Sequence, residues 1–187
     1  MMAPFKLAIA VSGLILALFS GVACHQPAAK ASAPAIQSAE KTRNLKLDQQ
    51  NVEGWTKAWT NLVNDSEQSF TPTLPRLEAV DVMLLVGNPG AAKDQLTLTV
   101  LGPSGKALAN VDKTVLEKDC DQVRFMLPGG GIEVTPGQHY RIRLSGGMTF
   151  GWKYVEDGYA GGEATFNGKP LLPGSRSSFL FRTFGPQ

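Results

Sequence analysis

Val123-Arg124-Phe125-Met126-Leu127 runs into Pro128-Gly129-Gly130-Gly131, and after Thr135-Pro136-Gly137 the chain resumes as Tyr140-Arg141-Ile142-Arg143-Leu144. In both runs every second residue is large and apolar. Successive strand side chains point to opposite faces, so period two marks a strand with one face buried. The breaks between the runs hold glycine and proline, which supply the backbone angles of tight turns. The same pattern recurs outward in both directions. Val80, Val82, Leu84 and Val86 alternate with Asp81, Met83 and Leu85, and Leu96, Leu98 and Val100 alternate with Thr97 and Thr99. Phe150, Trp152 and Tyr154 share one face, and Phe179 and Phe181 share another opposite Leu180 and Arg182. Gly87-Asn88-Pro89-Gly90, Gly102-Pro103-Ser104-Gly105 and Gly146-Gly147 punctuate these runs. The best hairpin joins residues 98–101 to 106–111 through Gly102-Pro103-Ser104-Gly105.

Roughly eight to ten such strands predict an all-β domain, a two-layer antiparallel β-sandwich of the jelly-roll kind, over residues 47–187. Two stretches are ambiguous. Residues 51–64 fit a strand pair or a short helix carrying Trp55 and Trp59, although Gly54 weakens a helix. Residues 114–121 read as a strand running into a charged loop.

The amino-terminal quarter has a different grammar. Lys6 precedes residues 7–23, which read LAIAVSGLILALFSGVA without a charge and end in small residues. That order is a secretory signal's. Gly21-Val22-Ala23-Cys24 resembles the lipobox of bacterial lipoproteins, with Gly21 departing from the leucine usual there. The resemblance implies cleavage before Cys24 and lipidation of its thiol. Ordinary secretory cleavage and an uncleaved anchor are the alternatives. His25 stands where an inner-membrane retention signal has aspartate, which by the same resemblance implies the outer membrane in a Gram-negative cell. Residues 24–46 then serve as lipidated cysteine and disordered linker. Rich in Ala, Ser, Pro, Gln and Lys, the segment has too little apolar surface to offset the entropy of ordering. The expected partner is a membrane, reached through the lipid anchor.

The formal net charge of +2 argues against nucleic acid as a partner. No G-x-S-x-G, H-E-x-x-H or phosphate-loop motif occurs, and Gly129-Gly130-Gly131 opens no helical pattern. The chain is therefore expected not to be an enzyme. Cys120 and His139 are the materials of a cysteine nucleophile, but nothing in the sequence brings them together. With Cys24 lipidated, Cys120 has no partner within the chain and is expected to be buried, an intermolecular bridge being the alternative.

Glu67-Gln68-Ser69-Phe70-Thr71-Pro72, Val134-Thr135-Pro136-Gly137-Gln138-His139-Tyr140, Gly151-Trp152-Lys153-Tyr154 and Phe179-Leu180-Phe181-Arg182-Thr183-Phe184-Gly185 resemble segments of jelly-roll modules in bacterial surface proteins. The likeness covers residues 48–187 and is to galactose-binding-like and carbohydrate-module-like sandwiches. It implies a non-catalytic binding or accessory module of the cell envelope, with a glycan as one ligand class. A structural lipoprotein that mediates contacts with an envelope protein is the alternative. Trp152, Tyr154 and Tyr159 are the candidate sugar-stacking residues, because aromatic faces suit pyranose rings. Trp152 and Tyr154 equally fit the core face of one strand, and Tyr159, in a glycine-rich loop, is the better placed for solvent. Glu156, Asp157 and Glu163 supply the hard oxygen ligands that Ca²⁺ takes, with Asp119 and Asp121 a second cluster; solvated loop charge is the alternative. Arg124, Arg141, Arg143 and Arg182 lie out of phase with the apolar sets. They predict either an anion-binding face or a solvated one with cross-strand pairs.

Overall fold

The computed structural model describes residues 44–54, 57–59, 66–87 and 93–187, with the strand at 57–59 given by its backbone. The leader at 1–23, Cys24, His25, nearly all of the linker, Trp55 and the turn at 88–90 lie outside the described residues.

The fold is all-β, and every described strand pairing is antiparallel. One layer is a six-stranded sheet. Its spatial order is β14 (Lys169–Pro170), β13 (Ala164–Phe166), β3 (Ser66–Phe70), β11 (Tyr140–Gly146), β7 (Lys93–Leu101) and β8 (Ala107–Leu116). The opposing sheet runs β1 (Leu45–Asn51), β16 (Phe181–Pro186), β5 (Ala79–Val82) and β9 (Val123–Met126). Most neighbours are distant in sequence, as a jelly roll requires. Two pairs are local. β7 and β8 form the expected hairpin, closed by the Gly105 N–H on the Gly102 carbonyl at 2.9 Å. β13 and β14 turn through Asn167-Gly168, both at positive φ, the chemistry of a two-residue hairpin. The remaining short pairing joins β10 (Ile132–Glu133) to β4 (Arg76–Leu77).

A further sheet grows out of the second layer. β12 (Phe150–Glu156) pairs with β2 (Lys57–Trp59), β6 (Leu84–Val86) and β15 (Ser177–Phe179). β5 continues into β6 through Met83, and β15 into β16 through Leu180. At this point the two chains part and β12 fills the gap. Three backbone hydrogen bonds close the junction in a ring. Met83 N–H donates to the Leu180 carbonyl at 3.3 Å, Leu180 N–H to Lys153 at 2.9 Å and Lys153 N–H to Met83 at 3.0 Å. The run from Val80 to Val86, which alternation presents as one strand, is thus two strands with different partners.

Between the layers lies a core built from both. Phe70, Ile142, Leu98 and Val100 come from the six-stranded sheet, and Val80, Phe125, Trp152, Phe179 and Phe181 from the other side. Phe70 touches Phe181 across the gap, with ring centres 6.3 Å apart. Complete burial of such a side chain contributes roughly 1.5–3 kcal/mol. A polar strut crosses the same space: buried Gln68 accepts the Phe179 N–H at 2.7 Å. Phe179 N–H faces the core, and without Gln68 it would be an orphaned donor.

Three expectations need correction. The linker boundary at residue 46 is late, because β1 starts at Leu45, where Pro186 of β16 faces it in register. The helical option for 51–64 fails at Asn51 and at 57–59, which are strand. Asp81, placed by alternation on the solvent face, is fully buried. Arg124 caps it with two hydrogen bonds, at 2.7 and 2.9 Å, and Gln122 adds a third at 2.7 Å. The charged run at 114–121 behaves as read. β8 ends at Leu116 and a single 3-10 turn, Glu117–Asp119, follows.

Candidate functional site

The aromatic candidates turn inward. Trp152 is fully buried, stacks on Phe179 at 4.2 Å and donates its indole N–H to the Leu180 carbonyl at 2.9 Å. Tyr154 is buried and meets Phe179 edge-on. Both are core residues, so the stacking-surface option for them is withdrawn. Tyr159 is half-buried. Its ring stands perpendicular to Phe181 at 5.1 Å, and its hydroxyl donates to Gln49 Oε1 at 2.9 Å. Burial pushes its phenol pKa upward; the Asp48 charge adds to this, and a hydrogen bond from the Thr71 backbone opposes it. Its ring is thus packed on Phe181 and its hydroxyl is engaged, with part of the side chain left exposed.

The acidic candidates stay apart. Among the described residues no three His, Cys, Asp or Glu side chains gather as a metal site requires. Glu156, Asp157 and Glu163 therefore form no calcium cluster. Asp157 adopts positive φ, and its N–H bonds the Arg176 carbonyl at 2.9 Å. Asp119 and Asp121 separate as well: Asp119 lies 3.9 Å from Lys118, while Asp121 bonds Lys153. Three of the four candidate arginines follow the cross-strand reading. Arg141 and Arg143 grip the buried Glu67 at 3.0 and 2.7 Å, and Arg124 holds Asp81 while lying 4.4 Å over the Phe184 ring.

What the fold does assemble is a polar cleft of about 330 Å³ beside the glycine-rich loop. Its walls are Ser69 and Thr71 at the end of β3, His139 before β11, Arg176 before β15, and the loop from Ala160 to Glu163. Phe70 pairs with Tyr140, so the residues just past the ladder, Thr71 and His139, meet. Thr71 Oγ1 lies 3.1 Å from His139 Nδ1 and 3.4 Å from the Gly161 carbonyl. A hydroxyl has one proton. Both bonds form together only if Nδ1–H donates to Thr71 and Thr71 donates to Gly161. Ser69 Oγ accepts the Glu163 N–H at 2.9 Å, and Arg176 donates to the Ala160 carbonyl at 3.2 Å. The loop lies this close because Gly161 and Gly162 carry no side chains. A Cβ on Gly162 would sit 2.0 Å from the Ser69 carbonyl oxygen, and one on Gly161 2.5 Å from the Tyr159 hydroxyl.

Glu163 is the one sequence candidate that lines this cleft. Ser69, Thr71, His139 and Arg176 were not singled out as a group, because strand pairing alone brings them together. Cys120 and His139 serve different surroundings. Cys120 is buried, and burial pushes its thiol pKa upward, opposed by its own backbone and by the nearby Lys153 charge. No protein-family model matches the chain, and no curated protein matches it either.

Proposed function

We propose that this chain is a lipid-anchored, non-catalytic binding or accessory module of the cell envelope, and that its cleft takes a hydroxyl-rich ligand, most simply a glycan. The observation that carries the binding half is the cleft's set of polar groups, held in place before any ligand arrives. Thr71, His139 and Ser69 are held by hydrogen bonds to one another or to the loop, and the Arg176 guanidinium is tied to the Ala160 carbonyl. Preorganised donors and acceptors lose little entropy on binding. Recognition here works by hydrogen bonding and not by ring stacking. The likeness to carbohydrate-module-like sandwiches supports the same class, though a fold alone specifies no ligand. The envelope address rests on residues 7–23 followed by Cys24. A single acyl chain holds a protein marginally, whereas two or more anchor it stably.

A structural role in protein contacts is the second reading. It draws on exposed apolar side chains: Met148, 69% exposed, and Leu116 and Leu108 on the edge strand β8. Glycan-array binding of the purified protein separates the two. Retention on a polysaccharide that Arg176→Gln and Thr71→Val abolish, with thermal unfolding unchanged, supports the cleft. Retention on no glycan, with a crosslinked envelope protein instead, sinks it. Intact mass of the processed chain tests the address: the expected product starts at Cys24 and carries diacylglyceryl mass.

A further inference from the structure

The cleft beside the glycine-rich loop holds two groups of opposite charge, Arg176 and Glu163. Glu163 is fixed by its backbone. Its N–H donates to Ser69 Oγ at 2.9 Å, and its carbonyl accepts the Ser69 N–H at 3.0 Å. Neither bond uses the carboxylate. Arg176 donates from Nη2 to the Ala160 carbonyl at 3.2 Å. A guanidinium presents its donors as two forked edges that share this nitrogen, so a single bond from it leaves one edge whole. Both side chains are exposed, and among the described residues neither enters an ion pair. The other titratable group of the cleft is His139, whose Nδ1 faces Thr71. Backbone and loop contacts thus keep a cation and an anion unpaired within one cleft of about 330 Å³.

From this placement we infer that the cleft selects an uncharged sugar unit, with one ring hydroxyl accepting from the Arg176 guanidinium and another donating to the Glu163 carboxylate. This selection rests on the glycan reading of the cleft and narrows it to neutral sugars. A hydroxyl both donates and accepts, so it suits either charge, and each such bond is charge-assisted. A charged ring fares worse. Screening acts over about 8 Å at physiological salt, so both charges act on any ring held in so small a cleft. A uronate attracted by Arg176 is repelled by Glu163, and an amino sugar meets the reverse. Each also loses water from its own charge on entering, a loss that a neutral ring does not suffer.

The test titrates three matched sets of sugars into the full chain in non-ionic detergent near neutral pH. The first is glucose with glucuronate and glucosamine, and the others are the galactose and mannose equivalents. Binding is followed through the backbone amide resonances of Gly161 and Gly162, which line the cleft. At least one neutral sugar is expected to shift them, and to bind more tightly than its own acid and its own amine. Glu163→Gln leaves both backbone bonds to Ser69 in place, so thermal unfolding should not change. It should narrow the gap between neutral sugar and uronate by roughly threefold, the repulsion of two exposed like charges in water, and widen the gap to the amino sugar. A uronate or amino sugar that binds as well as its neutral counterpart, or a uronate gap that Glu163→Gln leaves unchanged, overturns the selection while glycan binding in the cleft still stands. Silence from all three sets overturns the selection as well, and the glycan array then decides whether the cleft reading falls with it.

Discussion

Single side chains here do work that their type does not announce. Cys120 and Tyr159 both have pKa values raised by burial. The protonated forms are therefore favoured in the folded state, and folding holds protons that the unfolded chain releases. Their contribution is complete below the unfolded-state pKa values, about 8.5 for a thiol and 10 for a phenol. It is lost as pH rises through the folded values. Urea melts should show stability falling above about pH 8.5, and Cys120→Ala should flatten the first part of that fall. Iodoacetamide should label Cys120 slowly in native protein and rapidly in urea. A thiol that reacts equally fast in both states contradicts its burial. Asp81 and Arg124 make an unequal pair, since the carboxylate is fully buried and the guanidinium side chain is 42% exposed. Arg124→Met strands a charge in the interior and should cost about 3 kcal/mol. Asp81→Asn leaves its cation half in water and should cost less, a difference that chemical denaturation can resolve.

At the scale of elements, two glycines separate two kinds of constraint. Gly168 turns the β13–β14 hairpin at φ +71 with open space around its Cβ position. Gly168→Ala should cost about 1 kcal/mol, because only the dihedral is strained. Gly162 has no positive φ, but its Cβ would meet the Ser69 backbone. Gly162→Ala must therefore push the loop off β3. It should abolish cleft binding while moving the melting temperature little, because the loop is exposed and packs against one strand end. Paired thermal and binding measurements distinguish the cases, and intact binding in Gly162→Ala would contradict the assigned cleft wall. The Asn167-Gly168 turn carries a local chemical signal, two adjacent residues suited to positive φ. The junction at Met83, Lys153 and Leu180 carries no such signal, because none of the three is a turn residue and none has positive φ. A strand that changes partners keeps its alternation, so sixteen strand segments emerge among the described residues where alternation counted eight to ten.

At the scale of the whole molecule, the two layers are held by apolar contact and by the Gln68 strut. Gln68→Leu keeps the volume and removes the acceptor, leaving the Phe179 N–H buried without a partner. The expected loss is about 1–3 kcal/mol. Urea unfolding measures it, and a neutral or stabilising result would show that Phe179 finds another acceptor. Glu67 is the outer counterpart of this strut, tying β3 to β11 through Arg141 and Arg143.

From the order of its residues alone, this chain determines its all-β character, the β7–β8 hairpin, and the inward set of Leu98, Phe125, Ile142 and Phe181. These follow from period-two patterning and turn chemistry, which are local. The core position of Trp152 and Tyr154, the burial of Asp81, the dispersal of the acidic candidates, and the meeting of Thr71 with His139 were decided only by the folded structure. Each depends on which strands become neighbours. Thr71 and His139 are 68 residues apart in the chain, and pairing across such a distance is chosen by packing of the whole sandwich, which no local pattern encodes.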